Sequence, residues 1–364
     1  MGRYALIMAG GEGTRLWPLS RRKRPKQVLR LAGHRTLFEM AVGRLEPLIP
    51  AERILVLTAG DQVEQLRAQA PQLPSDNFIA EPSPRGTAAV IGLGAVVLAE
   101  RDPQAVLACV TADHFIRDEA AFRALLESAY ELADSGELVT LGITPTFPAT
   151  GFGYIHMGEP LGSHGGRQAR RVLAFKEKPP ADVAQAYVDS GGYSWNSGMF
   201  VWRADRILAE IARFVPSLDL GLQEIRASLI TGDLLGGMDR VWPGLERKTI
   251  DYAVMERAER VAVLPADDLG WWDVGGWQNL FEVLDVDADG NLILAGEGPR
   301  LDTRGSLVFQ EEGLRGRRLI ATLGVRDLVI VDTEDALLVC PREEAQRVRE
   351  IVSWLAERGL DRYL

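Results

Sequence analysis

Residues 3–11 read Arg3-Tyr4-Ala5-Leu6-Ile7-Met8-Ala9-Gly10-Gly11. An apolar run that ends in paired glycines is the pattern of a buried strand entering a tight turn. Runs of the same kind recur as RILVLTA at 53–59, AVLACVTA at 105–112 and ELVTLGI at 137–143. Between them lie helical patterns: TLFEMAVGRLEPL at 36–48, GTAAVIGLGAVVLAE at 86–100 and AAFRALLESAYELAD at 120–134. Strands alternating with helices predict βαβ units, and so an α/β, Rossmann-like domain with a mixed, mainly parallel sheet. Ligands of such sheets bind at the carboxyl ends of the strands.

Further along, the pattern changes twice. Residues 144–283 read as irregular and glycine-rich, with Trp195, Trp271, Trp272 and Trp277 beside polar motifs. From about 286, NLILAG, GSLVFQ, RLIATLG, DLVIVDT and ALLVCP follow one another with only turn residues between them. That spacing predicts a small all-β unit. An amphipathic helix, EEAQRVREIVSWLAERG, closes the chain, with Gly359 as its C-cap. The division expected is 1–285 for the α/β domain and 286–364 for a β domain with its closing helix.

The 364 residues are 46% hydrophobic and 25% charged, which excludes a disordered or collagen-like chain. With 41 basic against 51 acidic residues the net charge is −10, so nucleic acid is not an expected partner. Only five of the cations are lysine: Lys23, Lys26, Lys176, Lys178 and Lys248. From Gly13 to Phe38 the balance reverses, with eight basic residues and no acid. One short cationic segment on an acidic protein points to a small anionic ligand. Cys109 and Cys340 sit in apolar runs and read as buried core thiols. There is no zinc spacing, no cleavable leader pattern and no apolar run long enough to span a bilayer. A soluble, cytoplasmic protein without a membrane partner is expected.

The turn after the first strand continues Gly10-Gly11-Glu12-Gly13-Thr14-Arg15-Leu16-Trp17-Pro18. Glycines let backbone N–H groups crowd around phosphate oxygens. The dinucleotide fingerprint is incomplete, because Leu16 stands where its third glycine belongs, and the Walker A pattern is absent. Arg15 lies just past the turn, and Arg24-Pro25-Lys26-Gln27 follows. A guanidinium fork and an ammonium on one phosphate loop suit a triphosphate whose charge grows as pyrophosphate leaves.

GGEGTRLWPLSR followed by RPKQ resembles the signature of sugar-1-phosphate nucleotidyltransferases, and the Trp17 form with PKQ is most similar to the mannose-1-phosphate guanylyltransferases. FGYI at 152–155, FKEKP at 175–179, NSGMF at 196–200, TIDYAVME at 249–256, WWDVGGW at 271–277 and DLVIVDTEDALLVC at 327–340 agree with it in order. The resemblance implies transfer of GMP from GTP to mannose 1-phosphate, giving GDP-mannose and pyrophosphate. The alternatives are another sugar 1-phosphate or nucleotide with the same chemistry, or a non-catalytic subunit that senses a sugar nucleotide.

The same resemblance distributes roles. Arg15 and Lys26 are the expected catalytic cations, with Gly10, Gly11, Gly13 and Thr14 on the nucleotide. Glu81, Arg85 and Thr87, in EPSPRGT, are expected at the base; a carboxylate or backbone carbonyls there suit the N1–H and N2–H₂ donors of guanine. Gly86 and Ala89 depart from the family's more usual RNTAPA. Asp113, at the end of AVLACVTAD, and Asp273, in WWDVGGW, are the expected ligands of a divalent metal, Mg²⁺; a turn or helix cap is the alternative for each. His114 is expected to be structural or to act behind the metal ligands. Gly153, Glu177 and Asn196 are expected at the sugar and Lys178 at its phosphate; an exposed salt-bridging turn is the alternative for Glu177 and Lys178, and a plain turn for Gly153. Asp251 reads as a helix N-cap. The C-terminal segment is expected to be a left-handed β-helix-like domain, a surface through which a homodimer forms. An isomerase domain, present in longer members, is not expected.

Overall fold

The computed structural model describes residues 2–11, 13–31, 33–267, 269–294, 296–311 and 318–364. Glu12 of the glycine loop and Ala295 of NLILAG lie outside them. By contacts the chain divides into two compact units: one contains residues up to Gly10, Ala41–Ala112 and Ile116–Trp271; the other contains Gly11–Met40, Asp113–Phe115 and Trp272–Leu364.

The first unit is built on a nine-stranded sheet. Its strands are β1 (Arg3–Ala9), β2 (Ile54–Ala59), β3 (Phe78–Glu81), β4 (Val106–Thr111), β5 (Leu138–Ile143), β6 (Gly153–His164), β7 (Arg167–Glu177), β8 (Tyr193–Arg203) and β9 (Val261–Ala266). Their order is β3-β2-β1-β4-β8-β5-β9-β7-β6. The pairings make β1 to β6 and β9 run one way and β7 and β8 the other. This is the expected mixed, mainly parallel sheet. Parallel strands covered on both faces need side chains that are apolar on both, and Ala5, Leu6 and Ile7 of β1 are fully buried.

Helix Thr87–Arg101 is buried along nearly its whole length. Leu93 joins Leu6, Leu55, Leu107, Phe200 and Trp202 in one core. Burying each such side chain contributes about 1.5–3 kcal/mol, which is why this helix is apolar all round. By contrast, Glu119–Asp134 keeps a polar face and is capped by Asp118, which accepts from the N–H of Ala121.

The stretch 144–283 is more regular than its sequence reads. It contains β6 to β9 and helices Ala181–Ser190, Ala204–Phe214, Pro216–Ile230 and Leu234–Val241. Strands β6 and β7 form a hairpin with many half-buried and exposed positions. Such strands carry no continuous apolar run for a sequence reader to find.

In the second unit, β10 (Leu292–Leu294), β11 (Leu307–Gln310) and β12 (Leu328–Asp332) stack in parallel, and β13 (Leu337–Pro341) closes the sheet antiparallel. Leu292, Leu307 and Val329 lie in register and are buried, as the rungs of a β-helix require. Arg300–Leu301 and Thr322–Leu323 form a second parallel pair. Leu16, Trp17, Leu19, Leu29 and Leu31 of the cationic segment share the core of these strands.

Cys109 is buried as expected, but Cys340 is only half-buried. It lies on the edge strand β13, whose Leu337 and Val339 are exposed. The closing helix is also shorter than read. Arg342–Arg347 is a 3₁₀ turn and Val348–Glu357 the α-helix. Arg347 pairs with Glu344, three residues back in the 3₁₀ turn where side chains at that spacing eclipse, and with Glu350 in the α-helix that follows. Gly359 adopts a left-handed φ of 64° while Leu360 donates to the Leu355 carbonyl, the helix stop expected from sequence. Among the described residues no helix is long and apolar enough to cross a membrane.

Candidate functional site

The second unit brings together three of the residues singled out from sequence. Pro25 leads into a 3₁₀ turn at Lys26–Val28, which turns the Lys26 side chain inward; it is 8% exposed. Its Nζ donates to Asp113 Oδ2 and to Asp273 Oδ1, each at 3.0 Å. Burial alone would lower the lysine's pKa, but the two flanking carboxylates outweigh it and hold the ammonium above its usual range.

Gly13 sets the root of this arrangement. Its φ of 61° favours glycine, and a Cβ there would lie 2.5 Å from the Cβ of Lys26. The Gly13 carbonyl accepts from Ser20 Oγ at 2.7 Å and from the Leu16 N–H at 2.9 Å, which closes the loop. Arg15 is exposed and its Nη1 donates to Gln346 Oε1 at 3.1 Å. His114 is buried in the short strand His114–Ile116.

Two further clusters belong to the first unit. In one, β7 ends at Glu177, and Lys178 takes a left-handed φ of 45° that folds its ammonium back onto the Glu177 carboxylate. The Lys178 N–H donates to the Phe152 carbonyl at 3.2 Å. Gly153 begins β6 so close by that an added Cβ would sit 2.6 Å from Glu177 Oε2 and 3.5 Å from the Cβ of Asn196. Asn196 is held at both ends of its amide. Its Nδ2 donates to Asp251 Oδ1 at 2.7 Å, and its Oδ1 accepts from the Gly198 N–H at 3.1 Å. Sequence reading missed this use of Asp251. The residue opens a π-helical turn, Asp251–Met255, with Ile250 preceding it as the cap. Burial, reinforced by the nearby Glu177 charge, pushes the Asp251 carboxyl above the usual range, although the Asn196 bond acts the other way.

Asp251→Ala should therefore release Asn196 and raise KM for a ligand of this cluster roughly tenfold, the worth of one hydrogen bond. Asp251→Asn keeps an acceptor and should stay close to wild type. Steady-state kinetics with the sugar phosphate expected here from the sequence varied would check both, and equal KM values in the two variants would contradict the positioning role.

The other cluster of the first unit gathers around Glu81 at the end of β3. Glu81 is buried, and among the described residues its Oε2 has no hydrogen-bond partner. Burial raises its pKa, with an opposing hydrogen bond from the Arg85 backbone. Beside it lies a cavity of about 480 Å³ lined by residues that include Gly60, Asp61, Ser83 and Met238. An added Cβ on Gly10 would stand 3.7 Å from Glu81 Oε1. Arg85 and Thr87 do structural work here. The Arg85 guanidinium donates to the Pro243 carbonyl, and the Thr87 hydroxyl accepts from the Ile250 N–H at 2.9 Å.

Gly86 is held by its own backbone. With φ 83° and ψ 168° it occupies a region nearly closed to other residues, and a Cβ would meet the Lys248 carbonyl at 2.3 Å. The Lys248 backbone bonds to its neighbours on both sides, Arg85 and Ala88. Gly86→Ala should lower stability by about 1–3 kcal/mol. A denaturation midpoint unchanged from wild type would show that the segment relaxes freely.

Residues 4–290 match the family described as Nucleotidyl transferase, and residues 296–355 match the MannoseP isomerase/GMP-like beta-helix domain. A mannose-1-phosphate guanylyltransferase of Escherichia coli strain K12 is 39% identical over 363 residues, covering 98% of this chain and 74% of that protein. The mannose-1-phosphate guanylyltransferase ManC of Salmonella typhimurium strain LT2 is 37% identical, with 98% and 74% covered. A solved structure described as mannose-1-phosphate geranyltransferase from Thermus thermophilus superposes with a TM-score of 0.85 at 37% identity, covering 98% of this chain and all of that one.

Proposed function

This chain belongs to the mannose-1-phosphate guanylyltransferase family of nucleotidyl transferases, and on that premise we propose how its residues share the work of making GDP-mannose and pyrophosphate from GTP and mannose 1-phosphate. A phosphate oxygen of mannose 1-phosphate attacks the α-phosphorus of GTP. A new P–O bond forms as the bond to the β-phosphate oxygen breaks, and pyrophosphate leaves with the electron pair. The nucleophile is already an anion, so no strong base is needed. The protein must hold two anions together and neutralise the leaving group.

The observation that carries the reading is the convergence of Asp113 and Asp273 on one ammonium nitrogen, 3.0 Å from an oxygen of each. A point that already accommodates positive charge between two carboxylates suits a hard divalent cation. The family generally uses such a metal, and we assign Mg²⁺ to these two aspartates. Bound there, Mg²⁺ would offset the charge of the phosphate oxygens.

Arg15 and Lys26 donate to the departing pyrophosphate, and the backbone of Gly10, Gly11, Gly13 and Thr14 turns its N–H groups to the nucleotide. Glu81 accepts from the guanine N1–H and N2–H₂, a role supported by its unpartnered Oε2 beside a cavity. Arg85 and Thr87 fix the shape of that segment. Glu177 accepts from sugar hydroxyls, Asn196 orients them with Asp251 behind it, Gly153 leaves room, and Lys178 takes the sugar phosphate.

The functional division is proposed at 285/286, supported by matches that end at 290 and begin at 296. A homodimer through the C-terminal domain is supported by the exposed apolar side chains of Leu337, Val339 and Trp354. A cytoplasmic location is supported by two cysteines that are both free thiols. Pyrophosphate release measured over a panel of sugar 1-phosphates and nucleoside triphosphates tests the substrate assignment. GTP with mannose 1-phosphate should give the highest kcat/KM; another pair ranking clearly above it would overturn the assignment.

A further inference from the structure

Lys26 does more in this structure than wait for a phosphate. Its Nζ makes two hydrogen bonds of 3.0 Å, and both acceptors are oxygens of the carboxylates assigned to the metal. The side chain is 8% exposed, so water and salt screen it weakly, while Asp113 and Asp273 are about one-third exposed and open to an incoming ion. We propose that Lys26 is a positioning residue for the metal site: its ammonium holds the Asp113 and Asp273 carboxylates at a common point and competes with the divalent cation for their oxygens. This rests on the assignment of those two aspartates as metal ligands.

Three effects combine. Two carboxylates facing one point repel each other, and a shared ammonium offsets that repulsion, so it keeps them converged. A doubly charged cation drawn to the same oxygens is repelled by the ammonium, so the two occupants weaken each other. Lysine can yield because its charge sits at the end of a flexible four-carbon stem. Its backbone cannot follow: the close approach of Gly13 to the Lys26 Cβ and the 3₁₀ turn at Lys26–Val28 fix the root of the side chain.

The consequence is a coupling between metal and phosphate. An anion that draws the ammonium away relieves the competition, so phosphate binding tightens metal binding, and by reciprocity metal tightens phosphate. Arg15 instead donates to Gln346 Oε1.

Mn²⁺ binding to the full chain without nucleotide, followed by the electron paramagnetic resonance of free Mn²⁺, tests this. Lys26→Met and Lys26→Gln should each bind Mn²⁺ about tenfold more tightly than wild type, a change of about 1.4 kcal/mol, because removing a positive charge from the metal's own position outweighs the looser alignment of the two carboxylates. Asp113→Asn and Asp273→Asn should lose at least that much. If the aspartate variants lose binding and neither lysine variant gains it, Lys26 does not compete, although the metal ligands stand. If the aspartate variants bind as wild type does, the ligand assignment fails and the proposal with it.

A second measurement needs no variant. With five lysines in the chain, amine acylation followed by peptide mass spectrometry resolves each one. Saturating Mn²⁺ should raise labelling of Lys26 several-fold and leave Lys23 and Lys248 unchanged. Unchanged Lys26 labelling overturns the proposal whatever the variants do.

Discussion

Asp113→Ala should lower kcat/KM by about a thousandfold or more, which corresponds to roughly 4 kcal/mol of lost transition-state stabilisation. Two effects add. The proposed metal loses one of the two aspartates assigned to it, and the Lys26 Nζ bond to Asp113 is removed. The residual activity should also lose its response to added Mg²⁺. The fold should survive, because the Asp113 side chain is about one-third exposed and lies outside the apolar core of its unit. The far-ultraviolet circular dichroism spectrum should therefore match wild type while pyrophosphate release collapses. A variant that keeps Mg²⁺-stimulated turnover near the wild-type rate would remove Asp113 from the metal site. One that is unfolded would make Asp113 a structural residue.

The parts of the molecule that were legible in sequence are those whose determinants are local. RYALIMA is β1 from its first residue to its last, because a continuous apolar run bounded by glycine leaves a strand little freedom in where to end. GTAAVIGLGAVVLAE is a helix within one residue of its expected bounds. What stayed hidden depends on distant partners. Strand β8 is inserted antiparallel between β4 and β5, and nothing in YSWNSGMFVWR names those neighbours. The site follows the same rule. Residue type and its place on the phosphate loop pointed to Lys26, while the family resemblance paired Asp113 with Asp273 as ligands of one metal; neither joined the lysine to the two aspartates. Their union depends on carboxylates 87 and 247 positions away from the lysine. Asp251 was read as a cap because its position before a helical run is a local signal. Its bond to Asn196 spans 55 positions and leaves no such trace. The contact division of the chain shows the limit most plainly: the cationic segment near the N-terminus joins the C-terminal strands in one unit, an association that no linear pattern marks.

Trp277→Ala tests that association where it is densest. Trp277 is fully buried, and its ring packs at a tilt against Phe309 with centroids 5.5 Å apart. Its Nε1 donates to the Trp17 carbonyl at 2.9 Å, and Trp17 in turn donates from its own Nε1 to the Tyr363 carbonyl at 2.8 Å. One indole thus fastens the segment that carries Asp273 to the loop that runs from Gly13 to Lys26. Truncation to alanine opens a large cavity and should cost about 3–5 kcal/mol. It also strands the buried Trp17 carbonyl, which adds to the loss. Trp277→Phe separates the two contributions: most of the packing remains, the donor is gone, and the cost should fall to about 1–3 kcal/mol. Urea unfolding midpoints for the two variants should therefore be ordered wild type, Phe, Ala. Because the same indole ties down the segments bearing Lys26 and Asp273, Trp277→Ala should also weaken Mn²⁺ binding well below the unfolding transition. A variant that unfolds at the wild-type midpoint would mean that the core of this unit repacks around the lost ring. A variant that is destabilised yet binds Mn²⁺ as wild type does would mean that the carboxylates are positioned by something other than this core.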